Sequence, residues 1–349
     1  MDAIFSPLAD DQSPGVAVLV RKGGRTVFER GYGARELRTF AKIDAQSNFR
    51  LASCSKQFTA MSVMLLVHDG KLRYEDKLTD VFPDFPAYGK AITIRQLLNH
   101  TSGLPDYEDL MVAEGKRKAA AIWSETRQIQ DAEVLDLLKQ EKTGKFAPGT
   151  RWSYSNSGYV ILGLVVAKLS GQPFPEFLRE RIFVPLNMNA TVAYVKGKNE
   201  VARRAFGHSK DRSAWKETDQ SSTSATLGDG GVYSSLDDLA KWDEALAQHT
   251  LLSEKEMQAA LVPVKLAGGS QPKWPANSDR PEGTPVSYGF GWFLDPYRGH
   301  ARIWHYGDTM GFHSYIARLV EDKLTIIVLC NRTDLDPESL ALKVADLMY

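Results

Sequence analysis

Three short stretches of this chain carry the residue types of nucleophilic acyl chemistry at spacings that let them cooperate. The first is Leu51-Ala-Ser-Cys-Ser-Lys-Gln-Phe-Thr-Ala60, in which Ser53 is followed three positions later by Lys56. A serine hydroxyl attacks a carbonyl only when a base takes its proton, and a lysine drawn out of water holds its own proton less tightly. The residues that follow (Phe58, Ala60, Met61, Val63, Met64, Leu65, Leu66, Val67) are apolar on nearly every side and end at Asp69-Gly70. That pattern predicts a buried helix with Gly70 as its stop. Ser53 then sits at the first turn, where free N–H groups and the helix dipole favour negative charge, and Lys56 lies one turn on along the same face. Ser53 is the candidate nucleophile and Lys56 the candidate base.

Ser-x-x-Lys alone is weak, because it recurs at Ser213/Lys216 and Ser270/Lys273 and because a serine in this place also reads as a helix cap. The second copy lies in a polar segment around Trp215, and the third is interrupted by Pro272 and Pro275. Only the first opens a buried helix. The second stretch, Tyr154-Ser-Asn156, stands between the Pro148-Gly149 turn and an apolar helix from Ser157. A tyrosine there is held in place, and near an ammonium its phenol loses a proton more easily, so it can shuttle one to a leaving group. Asn156 offers an amide to a substrate carbonyl or to Lys56.

The third stretch is His305-Tyr-Gly307, read as the end of a strand. Gly307 lets a substrate lie against the strand edge, and the next N–H, that of Asp308, can point at a carbonyl oxygen. His68-Asp-Gly70 repeats the pattern but closes a helix, and Lys142-Thr-Gly144 precedes Tyr154 and also closes a helix. Cys54, next to the candidate nucleophile, reads as a packed thiol with no basic partner specified for it.

The elements that must hold these groups can be traced in order. Residues 15–21 and 26–32 flank a Gly-Gly turn and predict a hairpin. A loop at 81–86 and a short helix at 93–99 follow, then a helix at 132–142 capped by Asp131, and an apolar helix at 157–169 stopped at Gly171. Ser235 caps an amphipathic helix at 236–248. The stretch 187–227 is polar and carries no clear element, with 228–231 as a turn, and 268–285 is a long loop. Four strands are expected at 288–294, 301–306, 313–320 and 324–331, then a helix opened by Pro337. Strands at both ends with helices between them predict an α/β (α+β) fold: one sheet assembled from both termini (1–80 and 285–349), with a mainly helical lobe (81–284) inserted and the site in the groove between them.

Composition narrows the partners. Lys plus Arg and Asp plus Glu both number 43 in 349 residues, which leaves no global electrostatic case for nucleic acid or an anionic membrane. No apolar run approaches a membrane span, so no transmembrane segment is expected. Two cysteines, Cys54 and Cys330, make neither a disulfide framework nor a metal spacing, and no cofactor or metal is implied. The first residues have no basic region and no hydrophobic signal core, which reads as cytoplasmic, or as periplasmic or secreted if a leader has been removed.

Ser53-x-x-Lys56, Tyr154-x-Asn156 and His305-x-Gly307, in that order, resemble the serine penicillin-recognising superfamily, nearest the branch of class C β-lactamases, related serine esterases, D-aminopeptidases and D-Ala-D-Ala carboxypeptidases. The blocks at 97–105, 148–159 and 230–239 are similar to that family too, so the likeness runs over about residues 15–348. The resemblance implies that Ser53 forms an acyl-enzyme and that the N–H groups of Ser53 and Asp308 make the oxyanion hole. Tyr154 and Lys56 would assist hydrolysis, with the base in each half-reaction left open. It implies esters, small amides or D-residue peptides as substrates, with β-lactams as further candidates. A penicillin-binding or sensor-like protein that acylates without turnover is the non-enzymatic alternative. His305 replaces the lysine of true class C β-lactamases. A groove-facing imidazole, at best partly charged at neutral pH, would then read substrate carboxylates less firmly. His100, in the 97–105 block, is read as supporting the site from behind.

Overall fold

The computed structural model describes residues 1–212, 214–276, 278 and 280–349. Its main sheet has five antiparallel strands: β1 (Val16–Lys22), β2 (Arg25–Tyr32), β3 (Arg302–Thr309), β4 (Phe312–Leu319) and β5 (Leu324–Cys330), in the order β2-β1-β5-β4-β3. The first hairpin closes against the last strand, with Val16 opposite Cys330 and Lys22 opposite Leu324. Both termini therefore meet in one sheet, as the distribution of β-rich runs predicts.

Strand periodicity sorts the sheet into two faces. Ala17, Leu19, Ile316, Ile327 and Leu329 pack with the helices of the chain's middle. Val18, Val20, Ala317, Ile326 and Val328 pack with Phe5 and with Ala341, Val344 and Ala345 of the last helix. The helices that matter for the site are α1 (Lys56–His68), α2 (Tyr107–Lys118), α3 (Asp131–Gln140), α4 (Asn156–Ser170), α5 (Leu236–Gln248) and α6 (Pro337–Asp346). Helix α1 is the hub. Every residue from Lys56 to Leu66 is buried, as its all-round apolar sequence requires, and its Phe58 packs on Phe183 and Trp242. In a small second sheet 232–234 pairs on one side with 49–50 and on the other with 192–193, which draws the 228–231 turn over the start of α1.

Several expectations need correction. Residues 288–294 form no strand: they fold into a tight loop closed by a Gly289 N–H to Trp292 O bond, joined to β3 by one backbone bridge, Phe293 with Trp304, and by side-chain contacts of Tyr288 and Phe293. Gly291 is the reason. Its φ is +76°, and a Cβ there would come within 2.9 Å of the Lys56 carbonyl, so the chain must turn where it presses on α1. Asp131 does not cap α3; Gln130 does, and the Asp131 carboxylate instead accepts the Leu227 N–H at 3.0 Å. A hairpin at 208–211 and 214–217 fills part of the stretch left unassigned. We propose the two-lobe division as the organisation of the chain, with α5 counted with the sheet. Asp243 of α5 accepts from Arg21, Arg318 and Thr325 of three different strands. No helix among the described residues is long and apolar enough to cross a membrane.

Candidate functional site

Ser53 lies in a short 3-10 turn, Ala52–Ser55, that runs directly into α1 with Lys56 as the first helical residue. The turn is tight enough to hold Ala52 at φ +48°, a left-handed value that costs a residue with a Cβ on the order of 1–3 kcal/mol. What holds it is backbone on both sides. The Leu51 N–H donates to Val232 O, and Ser55 Oγ accepts the Val232 N–H at 3.1 Å. Strand β3 presses from the other side at Gly307, where a Cβ would stand 2.1 Å from the Leu51 carbonyl. Gly307 is thus required by the close approach of the Ser53 turn.

Lys56 is fully buried, and its Nζ donates to Ser53 Oγ (2.9 Å), Asn156 Oδ1 (2.8 Å) and the Asp229 carbonyl (2.9 Å). Three acceptors use all three ammonium protons. Burial nevertheless brings the lysine down to about 8, against the opposing pull of the carboxylates, Asp229 first and then Glu108 and Asp106. An oxygen that can give up a proton and an amine that can take one are therefore in direct contact.

Tyr154 and Asn156 arrive together on the segment that starts α4, whose cap is the Ser155 side chain on the Gly158 N–H. The Tyr154 ring lies beneath the ammonium, 4.9 Å from centroid to Nζ. The ammonium thus meets the π-face and not the phenolic oxygen, which corrects the expectation of an acidified phenol. Burial dominates and pushes the phenol well above its ordinary range, the Ser53 hydroxyl being a weaker opposing influence. The Tyr154 hydroxyl is buried without a hydrogen-bond partner.

The segment is clamped by His100, whose carbonyl accepts the Ser153 N–H (3.0 Å) and whose Nδ1 accepts the Ser155 N–H (3.1 Å). Its ring packs on Tyr154 with centroids 4.4 Å apart. Nδ1 accepts, so Nε2 carries the hydrogen; that atom is buried and unpaired. Burial and the nearby Lys56 hold His100 well below the ordinary histidine range.

His305 differs most from expectation. It does not face a groove: it is fully buried on β3, and that strand runs on past it to Thr309. Nδ1 lies 2.6 Å from the Tyr306 carbonyl and Nε2 lies 3.1 Å from the Tyr288 hydroxyl. A carbonyl only accepts, so Nδ1 carries the hydrogen and Nε2 takes that of Tyr288. Burial first, and then Lys56, lowers His305 to about 3. It is neutral at physiological pH and cannot serve as the substrate-reading cation. Asp308 turns its side chain to His313, 3.1 Å away, so anything it gives the site comes from its backbone.

Of the decoys, Ser213 lies outside the described residues, and Ser270 and Lys273 are exposed in the long loop. His68 ends α1 and pairs with Glu256. Cys54 is buried, with Sγ 3.4 Å from the His305 carbonyl, and burial pushes its thiol up. Among the described residues no His/Cys/Asp/Glu group is arranged to hold a metal.

Sequence reasoning missed Asp229, reading residues 228–231 only as a permissive turn. The one signal was a charged residue set among glycines. Its carbonyl holds Lys56, its Oδ2 accepts from the Tyr107 hydroxyl at 3.3 Å, and its Oδ1 is buried without a partner. Tyr288, read as part of a strand, proves to be the partner of His305.

The chain as a whole is similar to known proteins. The β-lactamase family model matches residues 1–347. A penicillin-binding protein of Bacillus subtilis (strain 168) is 32% identical over 99% of this chain and 74% of its own length. A D-aminopeptidase of Cereibacter sphaeroides (strain ATCC 17029 / ATH 2.4.9) is 27% identical over 92% of this chain, which spans 57% of that relative's length. Among solved structures, the octameric penicillin-binding protein homologue from Pyrococcus abyssi superposes with a TM-score of 0.80 at 25% identity, over 98% of this chain and 75% of that one. The D-amino acid amidase from Ochrobactrum anthropi SV3 in complex with D-phenylalanine does so with a TM-score of 0.78 at 25% identity, over 100% and 99%.

Proposed function

The chain belongs to the β-lactamase family, a serine hydrolase by that membership, and we propose that it cleaves esters, small amides or D-residue peptides through an acyl-enzyme on Ser53. One observation carries this reading: the buried Lys56 amine, with its proton affinity reduced, bonded to the Ser53 hydroxyl at 2.9 Å. In the acylation step Lys56, in its neutral form, takes the Ser53 proton while Oγ bonds to the substrate carbonyl carbon. The N–H groups of Ser53 and Asp308 receive the developing oxyanion. The bond to the leaving group then breaks, and the proton passes to that group by way of Lys56 and Tyr154. Water next attacks the acyl carbon, the Oγ–carbon bond breaks, and a proton returns to Ser53.

Lys56 is favoured as the base in both half-reactions because its proton is loosened, whereas burial keeps Tyr154 a phenol. The unpaired Tyr154 hydroxyl then suits a relay that finds its partner when substrate arrives. Small amides and D-residue peptides are favoured over β-lactams on two grounds. The relatives include a D-aminopeptidase and a D-amino acid amidase, and His305 is neutral where a fixed cation would read a lactam carboxylate.

The test is a panel of p-nitrophenyl esters, nitrocefin and D- and L-amino-acid amides, with intact-mass detection of adducts and peptide mapping after fluorophosphonate treatment. Turnover of an ester or D-amide with the adduct on the peptide containing Ser53 is expected. An adduct on Ser270 or Ser213, or full activity in Ser53→Ala, would sink the assignment. Stoichiometric acylation without turnover would favour the penicillin-binding, sensor-like alternative.

A further inference from the structure

Lys56 is ringed by groups that differ in what they can do to its charge. Its three bonds go to oxygens with no formal charge, those of Ser53, Asn156 and the Asp229 main chain. No carboxylate among the described residues lies within ion-pair distance of its ammonium. His100 from the 97–105 loop and His305 from β3 face it as neutral rings, and both Tyr154 and Cys54 keep their protons. The carboxylates that act on it are Asp106 and Glu108, at the start of α2, and Asp229, and Asp229 acts most strongly.

Asp229 is anchored at both its main chain and its side chain. Its main chain is fixed by Lys56 itself and its Oδ2 receives the Tyr107 hydroxyl; burial, the largest influence, raises its carboxyl above the ordinary range, while Lys56, Thr226 and Arg50 pull the other way and favour the ionised form. Asp131 lies near enough to feel that charge; burial first, and then Asp229, pushes it up to about 8, so it stays protonated at neutral pH. Of the carboxylates around the lysine Asp229 pulls hardest on its charge, and its Oδ1 is buried with no hydrogen bond.

We propose that the Asp229 carboxylate is the fixed counter-charge of Lys56, a positioning residue that acts through the lysine and sets the pH at which the Ser53–Lys56 pair becomes reactive. Held beyond contact, it cannot take the lysine's proton or compete with Ser53 for a bond. It offsets part of the desolvation that would otherwise strip the proton at much lower pH. The lysine is thereby left mostly protonated in the resting enzyme, yet within reach of its neutral form.

This rests on the reading of Ser53 as nucleophile, and the experiment separates the two. The rate of Ser53 labelling by a fluorophosphonate is followed against pH in wild type, Asp229→Asn, Asp131→Asn and Tyr107→Phe. Asparagine keeps the main-chain acceptor and the volume while removing the charge. The acid limb of the labelling rate should move to lower pH by about one unit in Asp229→Asn, as expected for loss of a nearby opposite charge. Labelling below the wild-type limb should then be faster, an outcome that mere structural damage does not produce. Tyr107→Phe should shift the limb the same way by less. Asp131→Asn, an isostere of a neutral acid, should leave it in place at and below neutral pH. An unmoved or upward-moving limb in a folded Asp229→Asn protein overturns the counter-charge. If that variant does not fold, an unmoved limb in Tyr107→Phe does so instead. Absence of Ser53 labelling in wild type would refute the nucleophile assignment.

Discussion

Lys56 and His305 are both fully buried, both belong to stretches that point to chemistry, and both are disfavoured as cations by burial. They end in opposite states because of what surrounds them. Lys56 has three oxygen acceptors and Asp229 nearby, so its charge is penalised but kept within reach. His305 has one carbonyl, one phenol and aromatic neighbours (Tyr154, Tyr288, Phe293), with the lysine's own charge opposing it. Desolvation acts on any buried charge, and acceptors and counter-charges decide whether the ion survives. A cation can persist inside this protein only where oxygens were placed for it.

The largest expected effects test the Lys56 half of that contrast. Lys56→Ala and Tyr154→Phe should each lower kcat by about a hundredfold or more while the far-ultraviolet dichroism stays native; near-native turnover in either would remove that residue from the proton path. In wild type, kcat/KM should rise with pH toward the region near 8, where Lys56 loses its proton. A limb centred near 6.5 would instead point to a histidine, and so break the contrast.

Gly307→Ala tests whether the two environments depend on the same close approach. Its methyl would meet the Leu51 carbonyl, so stability should fall by about 1–3 kcal/mol in urea melts, with most of the activity lost as the Ser53 turn is displaced. Unchanged melting and turnover would show that the turn and β3 can move apart freely.

The His305 half predicts stability effects and no direct effect on substrate charge. Histidine free in an unfolded chain titrates near 6.5, whereas His305 in the fold is lowered to about 3. Between those values the unfolded state binds the extra proton, so this group's stabilisation is complete above about pH 6.5 and is lost as the pH falls toward 3. His305→Gln should flatten the decline of the urea midpoint between pH 7 and 4 relative to wild type; an identical slope would mean the imidazole titrates alike in the folded and unfolded states. The ratio of kcat/KM for a carboxylate-bearing substrate to that for a neutral ester should show no histidine titration. His305→Lys would place a second ammonium among rings beside Lys56 and should destabilise by about 3–5 kcal/mol.

The smallest effect concerns the clamp on Tyr154. His100 sits at φ +63° and uses Nδ1 as an acceptor; asparagine tolerates that backbone and can present an oxygen in the same place. His100→Asn should keep kcat within about tenfold of wild type, and His100→Gln should fall further, with KM little changed in both. Equal losses in both variants would show that the ring packing matters and the Ser155 bond does not.

The sequence by itself determined the elements whose residues agree among themselves. The all-round apolar run after Lys56 can only be an interior helix, Ser235 caps the helix it precedes, and alternating strands at both ends close one sheet. It also determined which residues meet at Ser53. Ser53 and Lys56 are one helical turn apart, and Tyr154 and Asn156 arrive at the start of another buried helix. Those facts are local, and local spacing encodes them.

The tertiary structure alone decided the charges. Whether His305 faces solvent, whether the lysine meets the tyrosine's ring or its oxygen, and whether an aspartate between glycines supplies only a turn all depend on segments brought together from different parts of the chain. Residues 288–294 read as a strand by composition, yet the pressure of that segment on α1 turns it into a loop at Gly291 and brings Tyr288 to His305. Electrostatic energies depend on distance and dielectric, and both are set by which segments exclude water together. Residue type can nominate an ionisable group, but the packing around it determines its charge.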